Sequence, residues 1–228
     1  MTRFGKWIFI STLFGFLINN ADRLILGKFM SMEALGIYSI AYMMANIFKQ
    51  IYEQVSSKIL FPLYGKIKHL PREVLAFRIR KIRIGIMSGF LPFLCLIVVF
   101  GQEIIALLFD ARYQNAGWML QVLTSGFIPI TIIGIGPFYL SLGHSFVLMV
   151  LVATRAILFI VFMIVGGILN GSSGLIWGIA SHNILVYLLD VLVQIRYSIW
   201  QPKLDLYGYM FATMAILFGF WAKSLFST

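Results

Sequence analysis

The chain contains one cysteine, Cys95, which excludes an internal disulfide or a cysteine metal cluster. Charge is scarce as well. Only 11% of the 228 residues are charged, and just eight are acidic. A soluble domain carries roughly a quarter charged residues. Catalytic signatures are missing too: no HExxH, GxSxG, CxxC or P-loop pattern occurs. His182 and Asp190 form no recognisable dyad, and His69 and His144 read as loop histidines. The expectation is a non-enzyme with no metal and no cofactor. Without an ATP-binding domain, transport by such a chain has to be passive, ion-coupled or driven by the substrate gradient.

What is present is hydrophobic throughout: 61% of residues are apolar and the mean hydropathy is +0.93. A helical span needs about 20 mostly apolar residues. Seven candidates follow, over residues 4–29, 34–61, 84–100, 118–142, 146–169, 175–195 and 207–225. The predicted fold is an all-α polytopic membrane helix bundle of about seven transmembrane helices. The apolar run after basic Met1–Lys6 continues to Asn19 without a small-residue cleavage site, which predicts a retained helix. Pro92, Pro129 and Pro137 fall inside spans, where kinks are tolerated. Residues 102–109 are too few to cross and read as an interfacial helix.

The net charge is +10, and its placement sets topology. One side collects eleven cations: Arg3, Lys6, Lys66, Lys68, Arg72, Arg78, Arg80, Lys81, Arg83, Arg196 and Lys203. The other has three, Lys28, Arg112 and Lys223. The positive-inside rule then puts the N-terminus of this multi-pass protein in the cytoplasm. The run 66–83 supplies most of the excess. It reads as a topology signal beside anionic lipid headgroups, with Phe77, Ile79, Ile82 and Ile84 suiting a helix on the inner leaflet. Nucleic acid is not an expected partner.

Polar residues lie inside the spans, where charge costs several kcal/mol unless it meets protein, water or a partner. Residues three, four or seven apart share a helix face. Asn46, Lys49, Gln50, Glu53, Gln54 and Ser57 form such a stripe on the second span. Asn183, Tyr187, Asp190 and Gln194 form another on the sixth, with His182 adjacent. The first span carries Asn19, Asn20, Asp22 and Arg23, and the fifth places Arg155 near mid-bilayer. Each has two readings. Lys49 and Glu53 at i,i+4 neutralise each other as helix glue or face a substrate, and Asp22 pairs a neighbouring Arg or faces the same path. Stripes on four spans favour a shared wet cavity.

Several strings carry a resemblance. They are 4–9 (FGKWIF), 20–29 (NADRLILGKF), 34–42 (ALGIYSIAY), 59–64 (ILFPLY) and 112–121 (RYQNAGWMLQ). In order and spacing over roughly the first 130 residues the chain resembles the oligosaccharide flippases of polysaccharide biosynthesis. These form the polysaccharide transporter branch of the multidrug/oligosaccharidyl-lipid/polysaccharide exporter superfamily. The resemblance implies two six-helix lobes around a cavity that opens alternately to each face. It also implies an undecaprenyl-pyrophosphate-linked oligosaccharide as cargo, for capsule, O-antigen, lipopolysaccharide or exopolysaccharide export. Members are about twice this length, and the chain resembles their C-terminal half. The expected organisation is a six-helix lobe at 1–200 and an additional helix at 201–228. Truncation, a split gene needing its other lobe, and a half-size homodimer all fit.

On that reading Arg23, Lys49 and Arg155 attract pyrophosphate. Asn19, Asn20, Asn46, Gln50, Asn183 and Tyr187 contact sugar, and Asp22, Glu53 and Asp190 serve as counter-ions or coupling sites. Membrane lipids and the lipid-linked oligosaccharide are the expected partners. A cation-coupled exporter of amphipathic drugs is the alternative within the superfamily. A membrane-embedded polysaccharide polymerase or ligase is the alternative outside it, and it needs a larger external loop than 101–117.

Overall fold

The computed structural model describes residues 2–134 and 136–226. The side chains of 2–4, 17–24, 72, 136–137 and 226 lie outside the described residues. With them goes the predicted Asn19, Asn20, Asp22 and Arg23 cluster, of which only the helical backbone is described. Every regular element among the described residues is helical. In order these are α1 (Thr2–Phe29), α2 (Met32–Val55), a π-helical turn (Ser56–Leu60), α3 (Phe61–Ile67) and α4 (Arg72–Leu108). A 3-10 turn (Ala111–Tyr113), α5 (Ala116–Ser125), α6 (Phe127–Ile133), α7 (Gly136–Ser141), α8 (Ser145–Arg196) and α9 (Pro202–Phe226) follow.

Local chemistry explains the boundaries. Ser31 caps α2, its hydroxyl accepting from the Ala34 N–H at 3.2 Å, which satisfies one of the first unpaired amides. Pro71 precedes α4 and Pro202 opens α9, positions where the missing N–H is harmless. Gly134 ends α6 with φ +52, a left-handed turn that glycine adopts without strain. The 52 residues of α8 are broken at Asn170 and Gly171, the latter at φ 56, ψ −137. Residues 145–169 and 172–196 therefore fold back as a hairpin. Its arms touch backbone to backbone: a Cβ on Gly166 would stand 2.1 Å from the Gly174 carbonyl oxygen, and one on Gly178 2.3 Å from that of Phe162.

One expectation is corrected. The basic segment is not a separate surface helix before the third span: α4 runs unbroken from Arg72 to a kink at Phe100. The unbroken run 72–100 reaches about 43 Å, longer than the ~30 Å hydrocarbon core. The segment 102–109 forms a short helical stretch set off from the rest of α4 by the break at Phe100, and Pro92 is absorbed without a kink.

Four helices among the described residues are long and apolar enough to cross a membrane: 73–108, 116–133, 145–196 and 202–225. The third is the α8 hairpin. α1 packs on α8, α2 on α5, and α4 on α5, α6 and α9. Leu26, Tyr38, Leu120, Met163 and Leu175 build one buried cluster, and Phe48, Leu91, Leu94, Ile132 and Leu204 another. Phe9, Leu13, Met214, Leu217 and Phe218 face outward, as apolar residues do where lipid replaces water.

The cations also sort to the two ends. Lys68 Nζ donates to the Ser141 carbonyl at 2.9 Å and Gln201 Nε2 to that of Ala76 at 2.8 Å. Trp7 meets Phe146 edge-on, with Lys6 Nζ 4.6 Å from the Trp7 ring. These contacts gather the starts of α1, α4, α8 and α9 at one basic end. At the opposite end Lys223 pairs with Glu103.

Candidate functional site: a charged groove between α2, α6 and α8

The polar stripe of α2 faces the arms of α8 across a groove. Two adjoining hollows of about 450 and 260 Å³ share Lys49, Glu53, Phe127, Ile130, Val152 and Arg155 in their walls. Together they lie in the range of roughly 300–1,000 Å³ typical of small-ligand sites. Tyr52, Ser56, Ser57, Thr131 and Asp190 add polar atoms to the larger one. Asn46, His182 and Asn183 add them to the smaller, where Gly15 contributes from α1. Ser56 and Ser57 reach the groove from the π-helical turn. Its extra residue per turn rotates the face, a distortion frequent at functional sites.

Two ion pairs cross or line this space. Arg155 Nη2 lies 3.5 Å from Asp190 Oδ2 and joins the two arms of α8. Lys49 Nζ lies 3.9 Å from Glu53 Oε1 one turn away. Arg155 is held loosely: its Nε makes no hydrogen bond within the protein. His182 is buried, its Nδ1 2.7 Å from the Ile179 carbonyl and its ring against Phe159.

The groove brings together Asn46, Lys49, Glu53, Arg155, Asn183 and Asp190 of the residues singled out from sequence. Gln50 is exposed and outside its walls. Tyr187 also lies outside them, its hydroxyl donating to Asp205 Oδ2 at 2.8 Å.

Sequence reasoning missed a second charged centre. Arg83, counted among the topology cations, is fully buried and ion-paired with buried Asp205. Arg83 Nη2 also donates to the Ile132 carbonyl at 2.7 Å, and Trp200 Nε1 donates to Asp205 Oδ2 at 3.0 Å. The knot ties α4 to α9 and to the end of α6. Arg83 and Asp205 are 122 residues apart, so no spacing rule connects them. The available signal was Asp205 itself, a lone carboxylate opening an apolar helix.

Fold and groove define an all-α polytopic membrane bundle with a charged internal wall. The chain belongs to the polysaccharide biosynthesis protein family, whose pattern matches residues 1–118. It is similar to the lipopolysaccharide biosynthesis protein WzxC of Escherichia coli (strain K12), at 23% identity over 197 residues. That match covers 85% of this chain and 39% of WzxC. The chain thus spans well under half of the curated relative it matches. No solved structure matches it.

Proposed function

We propose that the chain is one lobe of a flippase that moves a polyprenyl-pyrophosphate-linked oligosaccharide across a bacterial inner membrane for cell-surface polysaccharide assembly. Transport is non-enzymatic. The lobe is residues 1–200, with 201–228 as an additional helix, and its basic end faces the cytoplasm. A second lobe, from another chain or another copy, supplies the facing wall.

The observation that carries this reading is the groove's charge pattern. Arg155, near mid-bilayer, has one guanidinium nitrogen uncommitted and only a long contact to Asp190. An arriving pyrophosphate competes with the carboxylate for that guanidinium, whose planar fork suits phosphate oxygens. Lys49 stands across the groove as a second cation. Asn46, Asn183, Ser56 and Ser57 offer both donors and acceptors to sugar hydroxyls. The polyprenyl tail needs no protein site because it stays in lipid. Arg23, Asn19, Asn20 and Asp22 belong to the same wall in this proposal. Gln50 and Tyr187 act at a step in which helices α2 and α8 rearrange.

In the assembled transporter, Arg155→Ala is expected to abolish surface polysaccharide while the protein inserts and accumulates normally. Arg155→Lys keeps the charge but loses the fork, and partial export is expected from it. Immunoblots of surface glycan alongside membrane fractions make the measurement. Wild-type export from Arg155→Ala sinks the site, and drug efflux with unaltered glycan favours the exporter alternative.

A further inference from the structure

A row of polar side chains leads away from the groove through the interior toward the basic end. Asp190 and Gln194 stand at i and i+4 on one face of the second arm of α8, and Tyr197, the residue that caps its end, follows at i+7, about 10 Å from first to last. Gln194 is 0% exposed, and neither its amide oxygen nor its amide nitrogen makes a hydrogen bond within the protein. Tyr139 of α7 is also 0% exposed, with its hydroxyl equally unpartnered. Its ring packs 5.3 Å from that of Tyr197. Tyr139 belongs to the buried cluster against which Val193 and Tyr197 of α8 pack, on either side of Gln194 in the chain. At the outer end the Tyr197 hydroxyl meets Nδ1 of exposed His144, in a shallow hollow shared with Trp7 and Arg196.

Buried amide and hydroxyl groups left without partners are costly. An apolar pair of residues would serve packing better at Gln194 and Tyr139. From this row we infer that the chain carries a one-sided proton relay, running from His144 at the basic end through Tyr197, Tyr139 and Gln194 to Asp190 in the groove. An imidazole accepts and releases protons readily. A tyrosine hydroxyl donates and accepts at once, and the Gln194 amide orders water between Tyr139 and the carboxylate. A proton taken up at His144 displaces one inward along the row, and the Asp190 carboxylate ends as the neutral acid. The groups facing Asp190 across the groove are Arg155 from the first arm of α8 and Tyr52 from α2. Lys49 and Glu53 line the same groove. Protonation releases Arg155 from its counter-ion, so the groove gains positive charge when the basic side is acidified. This last step rests on the proposed anionic cargo, whereas the relay itself does not.

The test uses vesicles carrying the full chain in each orientation, assigned by trypsin cleavage at Lys66. A hydrophobic carbodiimide, dicyclohexylcarbodiimide, modifies protonated carboxyls, and mass spectrometry reads the adduct at Asp190. Acidifying the basic face is expected to accelerate labelling, whereas acidifying the opposite face leaves it unchanged. Tyr139→Phe and Gln194→Leu are each expected to slow that response at least about tenfold. Tyr207→Phe, on an exposed position of α9, matches wild type. Tyr139→Phe removes only a hydroxyl without a partner, so it decides the matter even if Gln194→Leu fails to fold. An equal response from both faces overturns the relay, as does a wild-type response from Tyr139→Phe. Lost export with an intact one-sided response overturns the cargo reading and leaves the relay standing.

Discussion

Arg83→Met is expected to be the most destabilising single change of charge in this chain, losing about 3–5 kcal/mol. The reason is what it leaves behind. Asp205 is 3% exposed, and its carboxylate would keep the Tyr187 and Trp200 donors but lose its only ion-pair partner among the described residues. The Ile132 carbonyl, at the end of α6, loses two N–H donors as well. The reciprocal Asp205→Leu strands a guanidinium that already has one unpartnered nitrogen. Replacing both partners together removes the buried charges, and the double variant is expected to be closer to wild type than either single one. Unfolding in mixed micelles titrated with sodium dodecyl sulfate provides the measurement. If Arg83→Met unfolds with the wild-type midpoint, the knot does not hold α9 to the bundle.

The second large effect belongs to the α8 hairpin. Gly174→Leu is expected to prevent the arms from closing. A Cβ at Gly174 would lie 1.9 Å from the Gly166 carbonyl oxygen and 2.7 Å from its carbon. Both are backbone atoms with no rotamer to yield, so the helices themselves have to separate. Overpacking in cores typically costs about 1–3 kcal/mol, and a clash with backbone belongs above that range. Separation also parts Arg155 from Asp190, because the first arm carries one and the second the other. A cysteine pair at exposed positions 161 and 184, one on each arm, reports the opening through spin-label distances. An unchanged distance distribution in Gly174→Leu refutes the tight-crossing account. Gly171→Ala is the milder companion. Nothing lies within 4 Å of its Cβ, and only the φ of +56 opposes it, so a smaller loss is expected.

Much of the secondary structure was legible from sequence. Length and hydropathy place most of the helices, although the predicted span 118–142 divides into α5, α6 and α7, and the 170–174 turn announces the hairpin through Asn-Gly and Ser residues that leave a helix easily. The stripe on α2 follows from helical spacing alone, and Lys49 pairs with Glu53 at i,i+4 as that spacing allows. The distal helix boundaries were less legible. Arg72 to Arg83 looked like a surface segment because charge normally marks the edge of a span, yet α4 continues through it.

The sequence by itself determined that this is an all-helical membrane bundle and that polar faces recur on several of its helices. Only the tertiary structure decided which faces meet. It joined Arg155 to Asp190 across 35 residues and Arg83 to Asp205 across 122. It set Gln194 and Tyr139 in the interior and turned Tyr187 toward Asp205. The physical reason lies in the solvent. In water, an apolar stripe marks the face that packs, because the other face must be wet. In hydrocarbon both faces are apolar, and packing is chosen by close backbone approach and by polar groups that must find one another. Those partners come from helices distant in sequence, and a one-dimensional pattern does not contain them.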